Sequence, residues 1–427
     1  MSTDTATPPA EQPDAAENPP PRPGFTQLFG RYLIEANSVM VTVYSLLLAF
    51  LIGAVLLIVS DENVRSTYTY FFARPQDALT SSWILVRDSY LALFEGAILN
   101  LNTLERFQAG TAEFGDLLRP ISETLLNATP LIFTGLAVGL AFRAGLFNIG
   151  AQGQLIFGML GALAVGFSLN LPAVVHLPLA IVAGALAGAA FGAIPGVLKA
   201  TTGAHEVISS IMLNNIAFFF LVWAIGTGFF HSETKSELVT KPVDESATLP
   251  TLLGWLGAGL RVNLALIVGL AAAVFTWWLL SRSTFGFRIR AVGFNAHASA
   301  TAGMHVGRTY ASTMAFAGGL AGLAGAALSL GVGSSGVTTN TALEYGFDGI
   351  TVALLGRARP GGIVAAALLF GALKAGALSA QPDVPVDIST LLQAIIVLFI
   401  AAPALVKAIL HLRTPRGGMV TLEAKGW

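Results

Sequence analysis

The chain predicts an all-α fold: a polytopic transmembrane helix bundle of about ten spans, one of them short or broken. Three observations carry that expectation. Apolar residues fill 54% of the 427 positions and charged residues only 11%, against about 25% charged in an ordinary soluble protein. The apolar residues also fall in long blocks: Ala144–Leu198, Val207–Phe230, Val262–Ser281, Thr309–Leu343 and Ile388–Val406 contain no Asp, Glu, Lys or Arg. Roughly 20 apolar residues cross the hydrocarbon core as a helix, whereas the core helix of a soluble domain offers roughly 10–14. Third, Lys and Arg gather on one side of the implied crossings.

In chain order, residues 1–38 read as a disordered polar tail. Its first part is acidic and rich in proline (Pro8, Pro9, Pro13, Pro19, Pro20, Pro21, Pro23), and buries too little apolar surface to offset its ordering entropy. It lacks the basic start and early apolar run of a signal peptide. The membrane domain takes residues 39–410, with spans at 39–60, 120–142, 148–168, 173–198, 205–229, 261–281, 309–331, 342–357, 361–380 and 388–409; a tail of 411–427 follows.

Orientation follows from basic residues in short loops. Arg282, Arg288, Arg290 and Arg308 crowd one loop, and Lys407, Arg413, Arg416 and Lys425 the C-terminal tail; Arg22, Arg31, Arg143 and Lys199 sit at further turns on the same side. Both termini are then cytoplasmic, in a multi-pass protein of the cytoplasmic membrane. Ala342–Arg357 is short, yet it must cross for the basic tail to stay inside. Such broken crossings are tolerated where protein or a cavity covers the free backbone. The long loops 61–118 and 230–260 fall outside and are acidic. They read as plain solvated loops or as a docking face, with Ile84–Leu101 a helix at the membrane surface.

Gly184, Gly188, Gly192 and Gly196 form a stripe on one helix, and Gly318, Gly322 and Gly325 another. In lipid, close backbone approach supplies the contacts that hold helices together.

Much chemistry is excluded. There is no cysteine, and none of the six lysines follows a glycine, so no phosphate-binding loop exists and the chain reads as no enzyme. Neither H-E-x-x-H nor G-x-S-x-G occurs, and a net charge of −1 without a basic run points to no nucleic acid. Polar groups at membrane depth are more informative, because each is costly there. Asn148 and Gln152 are four apart, as on one helix face, with Gln154 beside them. Glu206, Ser210 and Asn214 form a second stripe, and Asp348 lies in the short crossing. They read either as a polar translocation path or as hydrogen bonds between helices. The basic loop 282–308, with a helical stretch at Asn295–Ala302, reads either as a contact for a soluble partner or as a plain positive-inside loop.

Three stretches carry a resemblance: FRAGLFNIGAQGQ (142–154), HEVISSIMLNN (205–215) and GFDGITVALLGR (346–357). They resemble signature stretches of bacterial ABC importer permeases of the simple sugar, nucleoside and branched-chain amino acid group, closest to nucleoside (basic-membrane-protein-type) permeases. The resemblance runs from about residue 120 to 410. It implies pairing with a second homologous permease or in a homodimer, an ABC ATP-binding subunit holding ATP and Mg, and an extracytoplasmic substrate-binding protein or lipoprotein. The solute it implies is a nucleoside or related simple sugar. No cofactor is implied for this chain itself, whose only other partner is membrane lipid. The loop matching Ser283–Arg308 is similar to the coupling loop that seats in the ATPase, which places Gly286, Arg288, Arg290, Gly293, Asn295, His297 and Gly303 there. A bulky residue at Gly293 or Asn295 is then expected to uncouple transport and leave insertion intact. Two other readings stay open: an ion-coupled secondary transporter of a small polar solute, with Glu206 and Asp348 as its intramembrane acids, and a scaffold without a solute path.

Overall fold

Hydrocarbon offers no hydrogen-bond partner to a peptide group, so a chain this apolar satisfies its backbone as helices. The computed structural model describes residues 38–379 apart from 236, 258, 342 and 343, and also 391, 394–396, 398, 399, 406, 409 and 410. The expected tails, and most of the expected span 388–409, lie outside the described residues. The helices are α1 (Ser38–Ser60), α2 (Glu62–Thr67), α3 (Pro75–Ala97), α4 (Leu101–Gln108), α5 (Phe114–Arg143), α6 (Ala151–Ser168) and α7 (Ala173–Thr202). They continue with α8 (Glu206–Ile225), α9 (Ala265–Arg282), α10 (Thr284–Phe294), α11 (Ala296–Thr301), α12 (Val306–Ala327), α13 (Tyr345–Leu355) and α14 (Pro360–Ser379). Among the described residues, eight helices are long and apolar enough to cross a membrane: α1, α5 to α9, α12 with the π-turn Leu328–Val332, and α14.

The expected short crossing is α13. Its 11 residues span about 16 Å, half of a hydrocarbon core of about 30 Å. Helix α5 stands at the centre, with α9, α12, α13 and α14 packed around it.

The two glycine stripes face each other. A Cβ placed on Gly188 would stand 2.6 Å from the Cα of Gly322, and one on Gly192 would stand 2.8 Å from the Cα of Gly318. Gly325 carries the same closeness to α6, where a Cβ would lie 2.5 Å from the Met159 nitrogen. Helices α6, α7 and α12 thus meet backbone to backbone, and dispersion over that seam replaces the hydrophobic drive that lipid does not supply.

Both long loops are more ordered than their charge suggests. Within 61–118, α3 begins well before Ile84 and packs on its neighbours: the Tyr90 hydroxyl donates to the Phe50 carbonyl, and Thr124 Oγ1 donates to the Ala97 carbonyl at 2.6 Å. The described residues of 230–260 form a cap over the end of the bundle opposite the arginine-rich loop, where a plain solvated loop was the first expectation. Asp244 N–H donates to the Gly166 carbonyl and Leu249 N–H to the Leu330 carbonyl, both at 2.9 Å. His176 Nδ1 lies 2.7 Å from Ser246 Oγ. Val239, Val243, Ala247 and Leu249 are buried under the cap, and these apolar positions within an acidic stretch are what fold it down.

The seam makes a prediction. Gly188→Val overpacks it, at a cost of about 1–3 kcal/mol, and should lower the thermal midpoint and monodispersity in mild detergent. Gly361, with nothing within 4 Å of an added Cβ, should accept alanine without loss. Equal losses in the two variants would remove close approach as the cause.

Candidate translocation site

The chain leaves α5 at Arg143, turns at Gly145 (φ 71°) and stays non-helical until α6 begins at Ala151. Leu146 and Asn148 in this segment are nevertheless fully buried. Bare backbone at that depth needs partners, and Asn214 on α8 supplies them. Its Nδ2 donates to the Ile149 carbonyl and its Oδ1 accepts from Gly153 N–H, both at 2.9 Å. Asn148 and Gln154 close on each other, each amide donating to the other's oxygen at 2.9 Å. Gln152 Oε1 accepts from Gly346 N–H at 2.8 Å, so the start of α6 is tied to the start of α13. That approach requires glycine: a Cβ on Gly346 would lie 2.7 Å from the Gln152 Cβ.

Asn148 and Gln152 do not share a helix face, contrary to the sequence reading. The turn at Gly145 delays the helix, and Asn148 precedes it. Glu206, Ser210 and Asn214 do line one face of α8, and all three are buried. Glu206 pairs with Lys199 at 2.5 Å and accepts from Phe147 N–H at 3.4 Å. The Ser210 hydroxyl is buried beside Gly150 and has no hydrogen-bond partner among the described residues. Asn148, Gln152, Gln154, Glu206 and Asn214 therefore brace the turn between α5 and α6 in this structure, bonded to backbone, to one another or, for Glu206, also to Lys199.

A second polar group sits across α13. Asp348 Oδ2 pairs with Lys374 Nζ of α14 at 2.6 Å. Lys374 also lies 4.3 Å from the Tyr345 ring centroid, and the Tyr345 hydroxyl donates to Asn127 Oδ1 at 3.5 Å. Sequence reasoning named Asp348 and missed Lys374, Tyr345 and Asn127. The signal for Lys374 was present: it is the lone charge within the expected span 361–380, and an ionisable residue inside a span marks a site by default.

The arginine-rich loop 282–308 is folded as α10 and α11. Ser283 Oγ accepts from Gly286 N–H at 2.9 Å and Asn295 Oδ1 from Ala298 N–H at 3.0 Å, capping the two helices. The expected helical stretch at Asn295–Ala302 is there as α11, preceded by a longer helix. Arg288, Arg290, Asn295, His297 and Gly303 are exposed, Gly303 at φ 82°. Phe287 and Phe294 are 56% and 77% exposed. With Arg290, Ala291, Ala298 and Met304 they line an open groove of ≈ 540 Å³.

Two glycines of the loop face inward. A Cβ on Gly286 would lie 2.8 Å from the Leu280 Cα, and one on Gly293 would lie 2.9 Å from the carbonyl carbons of Arg143 and Ala144. A bulky residue at Gly293 would therefore break packing, so Gly293 is no clean probe of a partner contact. Arg143 Nε also donates to the Ala358 carbonyl at 3.0 Å, which joins this corner to the end of α13. Among the described residues no cluster of three or more His, Cys, Asp or Glu is placed to hold a metal.

Comparison with known proteins agrees with this architecture. Residues 121–401 match the family described as branched-chain amino acid transport system / permease component. The chain is 44% identical over 285 residues to the guanosine ABC transporter permease protein NupP of Bacillus subtilis (strain 168), covering 66% of this chain and 81% of that one. It is 36% identical over 301 residues to the nucleoside ABC transporter permease protein NupB of Lactococcus lactis subsp. cremoris (strain MG1363), covering 68% and 82%. To the glucose ABC transporter permease protein TsgB13 of Haloferax volcanii it is 35% identical over 305 residues, covering 68% and 77%. No solved structure matches the chain. With the family match spanning the whole bundle from α5 onward, this multi-pass membrane protein belongs to the branched-chain amino acid transport system permease component family.

Proposed function

We propose that the chain is the permease subunit of an ABC importer that carries a nucleoside or related sugar into the cell, with ATP and Mg bound and hydrolysed on a separate ATP-binding subunit. The carrying observation is the contact of Gly293 in α10 with Arg143 and Ala144. It joins the exposed cytoplasmic helices to the root of the broken segment. The names of the relatives support the nucleoside as cargo. A second permease, identical or homologous, and an extracytoplasmic substrate-binding protein or lipoprotein complete the assembly, and both termini of this chain face the cytoplasm.

Mechanistically, closure of the ATP-binding subunits presses on α10 and α11 through the groove lined by Phe287 and Phe294. The push passes at Gly293 to the turn 143–145, along the braced segment to the start of α6, and through the Gln152–Gly346 hydrogen bond to α13. Loop and spans move together because α10 and α11 lie directly between α9 and α12. The ion-coupled alternative fares less well on the same geometry. Both of its candidate acids already hold a lysine, Glu206 with Lys199 and Asp348 with Lys374.

Purification of the tagged chain from native membranes, followed by reconstitution into proteoliposomes, tests the assignment. The expected result is recovery of an ATP-binding subunit and uptake of labelled guanosine that requires ATP and survives collapse of proton and sodium gradients. Gradient-driven uptake by the chain alone would instead make it a secondary transporter.

Two variants probe the mechanism. Phe294→Asp places a charge in the exposed groove and should cut uptake on the order of tenfold, with bundle stability unchanged; full uptake would detach the groove from coupling. Asn214→Leu orphans the Ile149 carbonyl and the Gly153 N–H, at about 1–3 kcal/mol each. Folded yield and uptake should therefore fall together. A stable Asn214→Leu protein that has lost only uptake would instead make Asn214 a solute contact.

A further inference from the structure

Helix α13 has two faces of opposite character. Gly346, Gly349, Val352 and Ala353 are buried, and a Cβ on Gly349 would stand 2.6 Å from the Thr134 Cβ. Within the helix, Phe347, Asp348 and Thr351 (i, i+1 and i+4) fall on the other face, and Glu344 precedes the first turn at φ 74°. All four are exposed or half-buried, Phe347 at 48%.

The depth of this face is fixed by its neighbours. Gly349 meets α5 at Thr134, nine residues before the helix ends at Arg143, or about 13 Å. Lys374 lies fourteen residues after Pro360 in α14, or about 21 Å. The Asp348–Lys374 pair therefore lies inside the length of the bundle, more than one helical turn from either end of α14. A face turned to acyl chains would not carry a carboxylate, its lysine and a hydroxyl, because charge is costly there; such groups face the bundle interior or a watery path.

This cluster differs from the braced residues of α6 and α8. Asn148, Gln154 and Asn214 are buried with their polar atoms bonded within the protein. Asp348 and Lys374 keep 18% and 19% of their side chains exposed. Lys374 Nζ stands 2.6 Å from Oδ2, an oxygen that is buried and accepts no hydrogen bond of good geometry among the described residues, and a carboxylate has room for up to about four hydrogen bonds. Beside it, the Phe347 ring is open on the same face.

We propose that Phe347 and Asp348 are specificity-determining residues that touch the solute in transit: the Phe347 ring stacks on the base, and the Asp348 carboxylate accepts from the ribose 2′- and 3′-hydroxyls. Lys374 is a positioning residue that holds Asp348 toward the path. The chemistry fits a neutral solute with an aromatic ring and a vicinal diol. The excess of carboxylate, Glu344 and Asp348 against Lys374, disfavours a phosphorylated one. The inference rests on the nucleoside reading above.

The test uses the full importer in proteoliposomes, with labelled guanosine and 2′,3′-dideoxyguanosine as probes. Wild type should import guanosine and prefer it to the dideoxy compound. Phe347→Leu should lower guanosine uptake on the order of tenfold, with the complex assembled and its folded amount unchanged. The swapped pair Asp348→Lys/Lys374→Asp keeps an ion pair but moves the carboxylate to α14, and should abolish the preference for guanosine. If the swapped pair restores both uptake and preference, or if Phe347→Leu transports normally, the pair is a brace and the inference fails while the nucleoside reading stands. A Phe347→Leu protein that loses its partner permease assigns the face to subunit contact and overturns the inference. Wild type that imports no nucleoside overturns the substrate reading, and this inference with it.

Discussion

A break between two spans that is buried among neighbouring helices strands N–H and C=O groups that an apolar surrounding will not bond. Between Arg143 and Ala151 the chain contains such a break, and the amide of Asn214 makes it tenable by meeting one carbonyl and one N–H across it. Everything near the proposed path depends on that repair. With the segment held, α6 starts deep, Gln152 reaches Gly346, and α13 is set beside α5. Without it, the cheapest response is to continue the helix, which would carry Asn148 and Gln154 away from each other. The stripe on α8 is therefore a structural device first.

Around the break the packing is of another kind. Helices α6, α7 and α12 meet through glycines, with backbone against backbone. Such a seam is neutral and stiff, because a close-packed interface shifts between discrete arrangements and does not deform smoothly. The arginine-rich loop touches the bundle at the root of the break, through Gly293 and Gly145, and its inward contact there lies on α10. A displacement of α10 thus reaches the least regular backbone at this end of the bundle before it reaches the glycine seam.

How much of this was readable without coordinates varies with the length scale of the signal. The crossings were readable, since a block such as Val207–Phe230 needs only its composition to declare itself. The glycine stripes were readable as stripes, because a four-residue repeat fixes a helix face; that the two faces meet each other is tertiary. The start of α6 was misplaced, because Asn148 and Gln152 fit a helical spacing and only the left-handed turn at Gly145 shows that the helix has not begun. The cap at 230–260 was hidden by its charges, with the apolar anchors Val239, Val243 and Leu249 scattered among them. Lys374 was within reach and passed over, since one lysine barely alters the hydropathy of a long apolar span. Its meaning comes from Asp348, which no spacing rule links to it.

The placement of charge also bears on which contacts can change during a transport cycle. Lys199 and Glu206 sit on α7 and α8, joined by a short turn at Gly203 (φ 71°), and Asp348 and Lys374 sit on α13 and α14, joined by the turn before Pro360. Each ion pair therefore lies within one helical hairpin. Breaking a buried pair leaves a naked charge and costs about 3–5 kcal/mol, so each hairpin is favoured to move as a unit. The hydrogen bond from Gly346 to Gln152, which joins α6 to α13, is neutral and worth about 0.5–1.5 kcal/mol. If the path opens by separating packed units, the energetics favour parting at Gln152–Gly346, beside the face that carries Phe347 and Asp348. The charges stay paired on either side of that seam, and a neutral solute can pass it without dragging a counter-ion along.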